Sequence, residues 1–156
     1  MFLIKLLKSF IDKKPPRPVK ARRPRQGHAG EHYNLKEIYD RVNAEYFENQ
    51  IDVPIKWFGN KEAKPKTKIT LGSYHLHKKE IKINRVLDQS HVPDYFISFI
   101  VYHEMLHHVF PPLKKKNIKR RIHHPEFVQM EKQFEHYDQV KQFRQTIKKD
   151  WFSKRN

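Results

Sequence analysis

The chain has no cysteine among its 156 residues. Disulfide bonds, cysteine-based zinc ribbons and iron–sulfur clusters are therefore excluded, and any metal site must use histidine or carboxylate ligands. Glycine is also scarce, with four residues, and no apolar run reaches the roughly 20 residues that a membrane-spanning helix needs. Acidic residues are outnumbered by basic ones, 17 to 33. This composition favours one small domain whose surface attracts polyanions.

The first 30 residues differ in composition from the rest of the chain. Residues 1–14 have the spacing of an amphipathic helix that could contact a membrane or a partner, and the segment that follows, up to residue 30, is a basic, proline-rich linker. Lys5 and Lys8 interrupt the apolar run, and no cleavage site of small residues follows. We therefore expect a cytoplasmic, nucleic-acid-associated protein that is not secreted. Residues 31–153 are predicted to form the folded domain, which we expect to be a monomer.

Hydrophobic spacing predicts an α+β domain with about three strands and four helices. Asn34 is well placed to cap the first helix, because Glu37 follows three residues later and apolar residues then recur at helical spacing. Apolar and polar residues alternate at 69–71 and at 81–83, and 55–57 supplies a third short strand. We expect a small antiparallel sheet, followed by three helices.

The most informative stretch is His103-Glu104-Met105-Leu106-His107, at the end of the apolar run 95–102. Two histidines four residues apart share one face of a helix and can reach the same tetrahedral metal ion. Glu104 would then lie beside the open coordination position, where it can take a proton from water. A helix that is apolar nearly all round is expected to be buried. Burying histidine and glutamate side chains there costs free energy unless they are paired or bind a ligand. The pattern indicates a zinc hydrolase, and a hydrogen-bonded core cluster is the alternative.

A catalytic zinc usually has three protein ligands, so a third must come from elsewhere in the chain. The H-E-x-x-H-x-x-G-x-x-H spacing is absent, because Phe110 and Leu113 occupy its glycine and final histidine positions. Further on, the chain reads His-His-Pro-Glu-Phe at 123–127, where Pro125 suits the first position of a new helix. The candidates for the third ligand at this helix are His123, His124, Glu126 and Glu131.

The motif at 103–107, followed by the segment at 123–127, resembles the SprT-like (Spartan-related) family of zinc metallopeptidases over roughly residues 32–135. The resemblance implies a zincin-like domain with one Zn²⁺ per chain, held by His103, His107 and His123, and with Glu104 as the general base. His124 stands at the family's glycine position. Because the chain lacks cysteine, it would be a minimal form without the zinc-ribbon module of some relatives. The implied substrates are proteins associated with DNA.

Charge is the second strong signal in the sequence, with a formal net charge of +16 and a pI near 10.0. One basic cluster lies between the second and third candidate zinc ligands. It consists of Lys114, Lys115, Lys116, Lys119, Arg120 and Arg121. We predict that this cluster binds nucleic acid without base specificity, beside the active site. A solvated basic loop is the alternative.

Three functions are compatible with these patterns. The first is a zinc metalloendopeptidase that acts near nucleic acid, the second a basic nucleic-acid-binding module with a structural zinc, and the third a zinc phosphodiesterase. Glu104 favours catalysis, because a structural zinc site needs no base beside an open position. The phosphodiesterase is the weakest of the three, since such enzymes typically use paired metals and several carboxylates.

Overall fold

The computed structural model describes residues 27–62, 68–112 and 122–153. The predicted amphipathic segment 1–14, the linker up to residue 26 and the basic cluster at 114–121 lie outside the described residues. The described elements, in chain order, are α1 (Leu35–Phe47), β1 (Ile55–Phe58), β2 (Gly72–His75), β3 (Glu80–Asn84), α2 (Asp94–Val109), α3 (Pro125–Glu131) and α4 (Tyr137–Ser153). These four helices and three strands confirm the α+β prediction.

The sheet has the strand order β1-β3-β2 and is mixed. β2 pairs with β3 antiparallel, as predicted, whereas β1 pairs with β3 in parallel, with Ile55 opposite Ile81. The expectation of a wholly antiparallel sheet was therefore wrong. Ile81 and Ile83 are completely buried, so β3 lies at the centre with a neighbour on each side. The β2–β3 hairpin therefore places its second strand, rather than its first, against β1.

Helix α1 begins at the predicted cap. The Lys36 backbone N–H donates to Asn34 Oδ1 at 3.0 Å, and Asn34 Nδ2 donates to Glu37 Oε1 at 2.9 Å. Such a cap satisfies an N–H group that has no partner within the helix, and it stabilises by about 1 kcal/mol. The helix cap that the sequence predicted at Asn34 is thus confirmed by these two hydrogen bonds.

The segment before α1 is held by one carboxylate. Asp88 is 2% exposed and follows the 3-10 turn Arg85–Leu87. Its oxygens accept three consecutive backbone N–H groups at 2.7–3.1 Å, those of Glu31, His32 and Tyr33. Burial favours the neutral carboxyl, but these three donors outweigh that effect and hold the pKa of Asp88 below its usual value. A Cβ on Gly30 would lie 2.5 Å from Asp88 Oδ2, so the close approach requires glycine.

Residues 27–30, which we assigned to the linker, also contact the sheet. The Trp57 backbone N–H donates to the Gly27 carbonyl at 2.8 Å, and its indole Nε1 donates to the His28 carbonyl at 3.0 Å. This segment therefore lies along the β1 side of the sheet. The domain boundary between residues 30 and 31 stays a prediction.

Helix α2 is the centre of the core. Its residues Phe96, Ile97, Val101 and Met105 are completely buried, and the helix packs against the sheet, α1, α3 and α4. This burial on all sides is what its nearly continuous apolar run predicted. Within the described residues, no helix is long and apolar enough to cross a membrane.

Candidate metal centre

Three histidine side chains converge where α2 meets the start of α3. His103 Nε2 lies 3.1 Å from His107 Nε2, which lies 3.2 Å from His123 Nε2. One ring nitrogen from each residue lies within 4.8 Å of the others, and in the described part of the chain this is the one such cluster of metal-binding side chains. Ligands about 2.05 Å from a tetrahedral zinc ion are about 3.3 Å apart. The three nitrogens could therefore hold one metal ion.

The local structure explains how residues so far apart in sequence meet. His103 and His107 are one turn apart on α2 and face the same way, and His123 comes two residues before α3 begins. The Tyr102 hydroxyl donates to the Met130 carbonyl at 2.6 Å and so fixes α3 against α2. His103 and His107 are half-buried, whereas His123 is exposed at the edge of the cluster.

The completely buried ring of Phe127 backs the cluster. Its centroid lies 5.1 Å from that of His103, 4.6 Å from that of His107 and 4.8 Å from that of His123. One aromatic side chain of α3 thus supports all three imidazoles. An apolar wall of this kind limits solvent access and lowers the local dielectric around a metal centre.

The surroundings also favour the metal-binding form of the imidazoles. Burial, with repulsion from His103 and His123, lowers the pKa of His107 to about 3. Burial and the neighbouring histidines likewise lower the pKa of His123. A metal ion binds the neutral imidazole, so both side chains hold a free lone pair at neutral pH.

The other candidates for the third ligand are not part of this cluster. His124 is 5% exposed and lies at the N-cap of α3, where its Nδ1 is 2.8 Å from Glu126 Oε2. Glu131 bonds instead to His103, with 2.8 Å between Oε1 and Nδ1. Burial favours the neutral form of Glu131, but His103, followed by Arg144, outweighs this and lowers the pKa of the carboxyl. Of the four candidates, only His123 joins both His103 and His107 in the cluster of possible ligand atoms.

Glu104 lies on the neighbouring face of α2, towards β2. It is 5% exposed, and burial raises the pKa of its carboxyl to about 7, against the opposing effects of His103 and a hydrogen bond from the Tyr74 backbone N–H. A divalent cation held by the adjacent histidines would oppose this rise. A carboxyl group with a pKa near neutrality can take up and release a proton at physiological pH.

Sequence reasoning missed the part that Gly72 plays in this arrangement. A Cβ at Gly72 would lie 2.7 Å from Glu104 Oε1 and 2.8 Å from Ile100 Cγ2. Only a residue without a side chain lets β2 pass this close to the glutamate. A glycine directly after the alternating residues 69–71, in a chain with four glycines, was the available signal.

Sequence reasoning also missed a hydrogen-bonded pair of side chains that joins β2 to the end of α2. The Tyr74 hydroxyl and His108 Nδ1 are 2.8 Å apart, and both side chains are half-buried. Tyr74 therefore contacts α2 twice, through its backbone N–H at Glu104 and through its side chain at His108. These contacts fix β2 along the helix that carries the histidines.

The fold and the cluster together define an α+β domain with a three-histidine centre that could hold a metal ion, next to a buried glutamate. The model of the SprT-like family matches residues 35–149, and the chain belongs to this family. The resemblance read from the motifs at 103–107 and 123–127 is thereby confirmed. No curated protein and no solved structure matches the chain.

Proposed function

We propose that this chain is a zincin-like, zinc-dependent metalloendopeptidase with His103, His107 and His123 as metal ligands and Glu104 as general base. The observation that carries the proposal is the convergence of three imidazole nitrogens beside a buried carboxyl group. Three protein ligands and an adjacent base are typical of a catalytic zinc site, whereas structural sites are closed by four protein ligands. The family to which the chain belongs agrees with this activity.

The roles of the protein groups follow from their positions. A zinc ion held by His103, His107 and His123 would lower the pKa of water to about 7 and would polarise the scissile carbonyl. Glu104 accepts a proton from the attacking water and later delivers it to the leaving amine. Phe127 keeps bulk water from the side of the imidazoles that it covers.

The edge of the sheet offers a place for an extended substrate. The Asn84 backbone N–H donates to the Leu71 carbonyl, so these opposite residues form a hydrogen-bonded pair of the antiparallel ladder. Backbone groups of the alternate residues Gly72 and Tyr74 then point away from β3, and of these the Tyr74 N–H already donates to Glu104. A peptide that paired with this edge would lie beside Glu104. Such a position suits hydrolysis of an internal peptide bond of the substrate.

The test of this proposal compares the wild type with Glu104→Gln, using zinc content and cleavage of casein as readouts. Glu135→Gln, an exposed glutamate after α3, is the matched control. We expect one zinc per chain in all three proteins and cleavage in the wild type and the control only. Stoichiometric zinc without cleavage by the wild type would favour a binding module with a structural metal. A chain that binds no zinc would contradict the proposal.

We also propose that the substrates are proteins associated with nucleic acid. The support is the net charge of +16 and the position in sequence of the basic cluster, between the second and third proposed ligands. Replacing Lys114, Lys115 and Lys116 by glutamate should weaken binding to single-stranded DNA and flatten its dependence on salt. Zinc content should stay the same. Unaltered affinity would contradict this assignment of the nucleic-acid site.

A further inference from the structure

We propose that Glu131 is a positioning residue for the metal centre. Its carboxylate holds His103 in the tautomer that carries the proton on Nδ1 and so presents an unprotonated Nε2 to the ion. This inference builds on the proposed metal-binding function, and it concerns a residue outside the set of three ligands and one base.

The first step of the argument is the hydrogen bond itself. Glu131 Oε1 lies 2.8 Å from His103 Nδ1. A carboxylate can only accept, so Nδ1 must be the donor and must carry the proton. In a neutral imidazole the other nitrogen then has a free lone pair. That nitrogen, Nε2, is the one that lies 3.1 Å from His107 Nε2.

The same geometry argues against Glu131 as a direct ligand. Nδ1 and Nε2 point to different sides of the imidazole ring, and the carboxylate is bonded on the Nδ1 side. An ion bound at Nε2 would lie on the other side of the ring. Glu131 therefore acts on the centre through His103, in the manner of the carboxylates that orient metal-binding histidines in many proteins.

Neighbouring elements hold Glu131 in place. It is the last residue of α3, and its side chain is 18% exposed. Arg144 of α4 acts on it through its positive charge, while the Arg144 guanidinium lies 5.6 Å from the centroid of the Phe99 ring. Both ends of helix α3 thus contribute to the metal centre, since the third proposed ligand, His123, comes two residues before its first residue.

The first test needs no metal and no peptidase activity. Nitrogen-15 NMR of the metal-free full-length protein reports which ring nitrogen of His103 is protonated. We expect the Nδ1–H tautomer in the wild type and in Glu135→Gln. Glu131→Gln keeps the shape of the side chain, but its amide can donate as readily as accept, so the preference for Nδ1–H should be lost. A His103 with its proton on Nε2 in the wild type would overturn the proposal.

The second test measures zinc affinity by competition with a chromophoric chelator. Loss of a partner of this kind typically costs about 10- to 100-fold in metal affinity, and we expect a fall in that range for Glu131→Gln. Glu135→Gln should bind zinc as the wild type does. Equal affinities in all three proteins would overturn the proposal. So would a changed coordination number in the visible spectrum of Co²⁺-loaded Glu131→Gln, because that change would make Glu131 a ligand.

These outcomes separate the inference from the proposed activity. If the tautomer and affinity results are as expected but no variant cleaves peptides, the positioning role stands and the peptidase activity fails. If the wild type cleaves peptides but Glu131→Gln binds zinc with equal affinity, the activity stands and the positioning role fails. The tautomer of the wild type can be read even if Glu131→Gln does not fold.

Discussion

Replacing Gly72 by alanine should damage both the stability and the activity of this protein. The new Cβ would lie 2.7 Å from Glu104 Oε1, 2.8 Å from Ile100 Cγ2 and 2.9 Å from Glu104 Cγ, well inside the contact distance of roughly 3.5–4.0 Å between carbon atoms. Overpacking of this kind costs about 1–3 kcal/mol, partly offset by about 0.4–1 kcal/mol from the stiffer unfolded chain. We expect a net loss of roughly 1–2 kcal/mol in the free energy of unfolding, which lowers Tm by roughly 2–8 °C.

The effect on cleavage should be larger than the effect on stability. Glu104 is the flexible side chain at the contact, so it should move, and a displacement of about 1 Å at a catalytic group can cost about 100-fold in rate. The assay measures kcat/KM for a quenched peptide, zinc content and thermal unfolding. Ser73→Ala, at the next position of β2, is the control. If Gly72→Ala unfolded at the same temperature as the wild type and cleaved the peptide equally well, the predicted clash with Glu104 would be refuted.

A double-mutant cycle tests the assigned contact directly. In a Glu104→Ala background, two of the three atoms closest to the new Cβ are absent, namely Oε1 and Cγ of Glu104. The stability cost of Gly72→Ala should therefore shrink in that background. An undiminished cost would place the clash at Ile100 alone.

Two further predictions concern the clamp on the N-terminal segment and the metal. Asp88→Asn should lower the free energy of unfolding at pH 7 by about 1–3 kcal/mol, because an ionised acceptor of three N–H groups is lost. Since the pKa of Asp88 is lowered in the folded state, its contribution is present above the unfolded value of about 3.9 and disappears as the pH falls through the folded value. Denaturant unfolding of both proteins from pH 7 to pH 2 should show the difference narrowing in acid, and a constant difference would contradict this role. Removing the metal with a chelator should lower Tm in the wild type and in His77→Ala, since an ion at 100 times its Kd stabilises the folded state by about 2.7 kcal/mol. His123→Ala should not respond, and a full response there would exclude His123 as a ligand.

Much of the helical framework could be predicted from the sequence because its signals are local. The cap at Asn34 and the proline that opens α3 at Pro125 depend on residues within one turn. The histidines at 103 and 107 share a face because of helical periodicity alone. His123 could be placed with them only through the resemblance to a family, since no local pattern reports which distant residue meets a helix.

The parts that sequence could not give depend on contacts between distant segments. Alternating apolar residues show which face of a strand is buried, but they do not show the direction of its neighbour, so the parallel pairing of β1 with β3 was missed. The approach of Gly72 to Glu104 and the bond from His103 to Glu131 likewise join different elements. The sequence suggested Glu131 as a ligand because a carboxylate can bind zinc. It could not show that this carboxylate is instead hydrogen-bonded to His103.

The hydrogen bond from the Trp57 backbone to Gly27 matters for the behaviour of the protein in solution. A three-stranded sheet has two outer strands, and unpaired backbone groups on such strands can recruit another copy of the chain. Here residues 27 and 28 lie against the β1 side, whereas among the described residues no strand follows β2 on the other side. A short segment before the first helix thus occupies part of the β1 side of the sheet. Within the part of the chain that the structure describes, another extended chain could therefore be added at β2, next to Glu104.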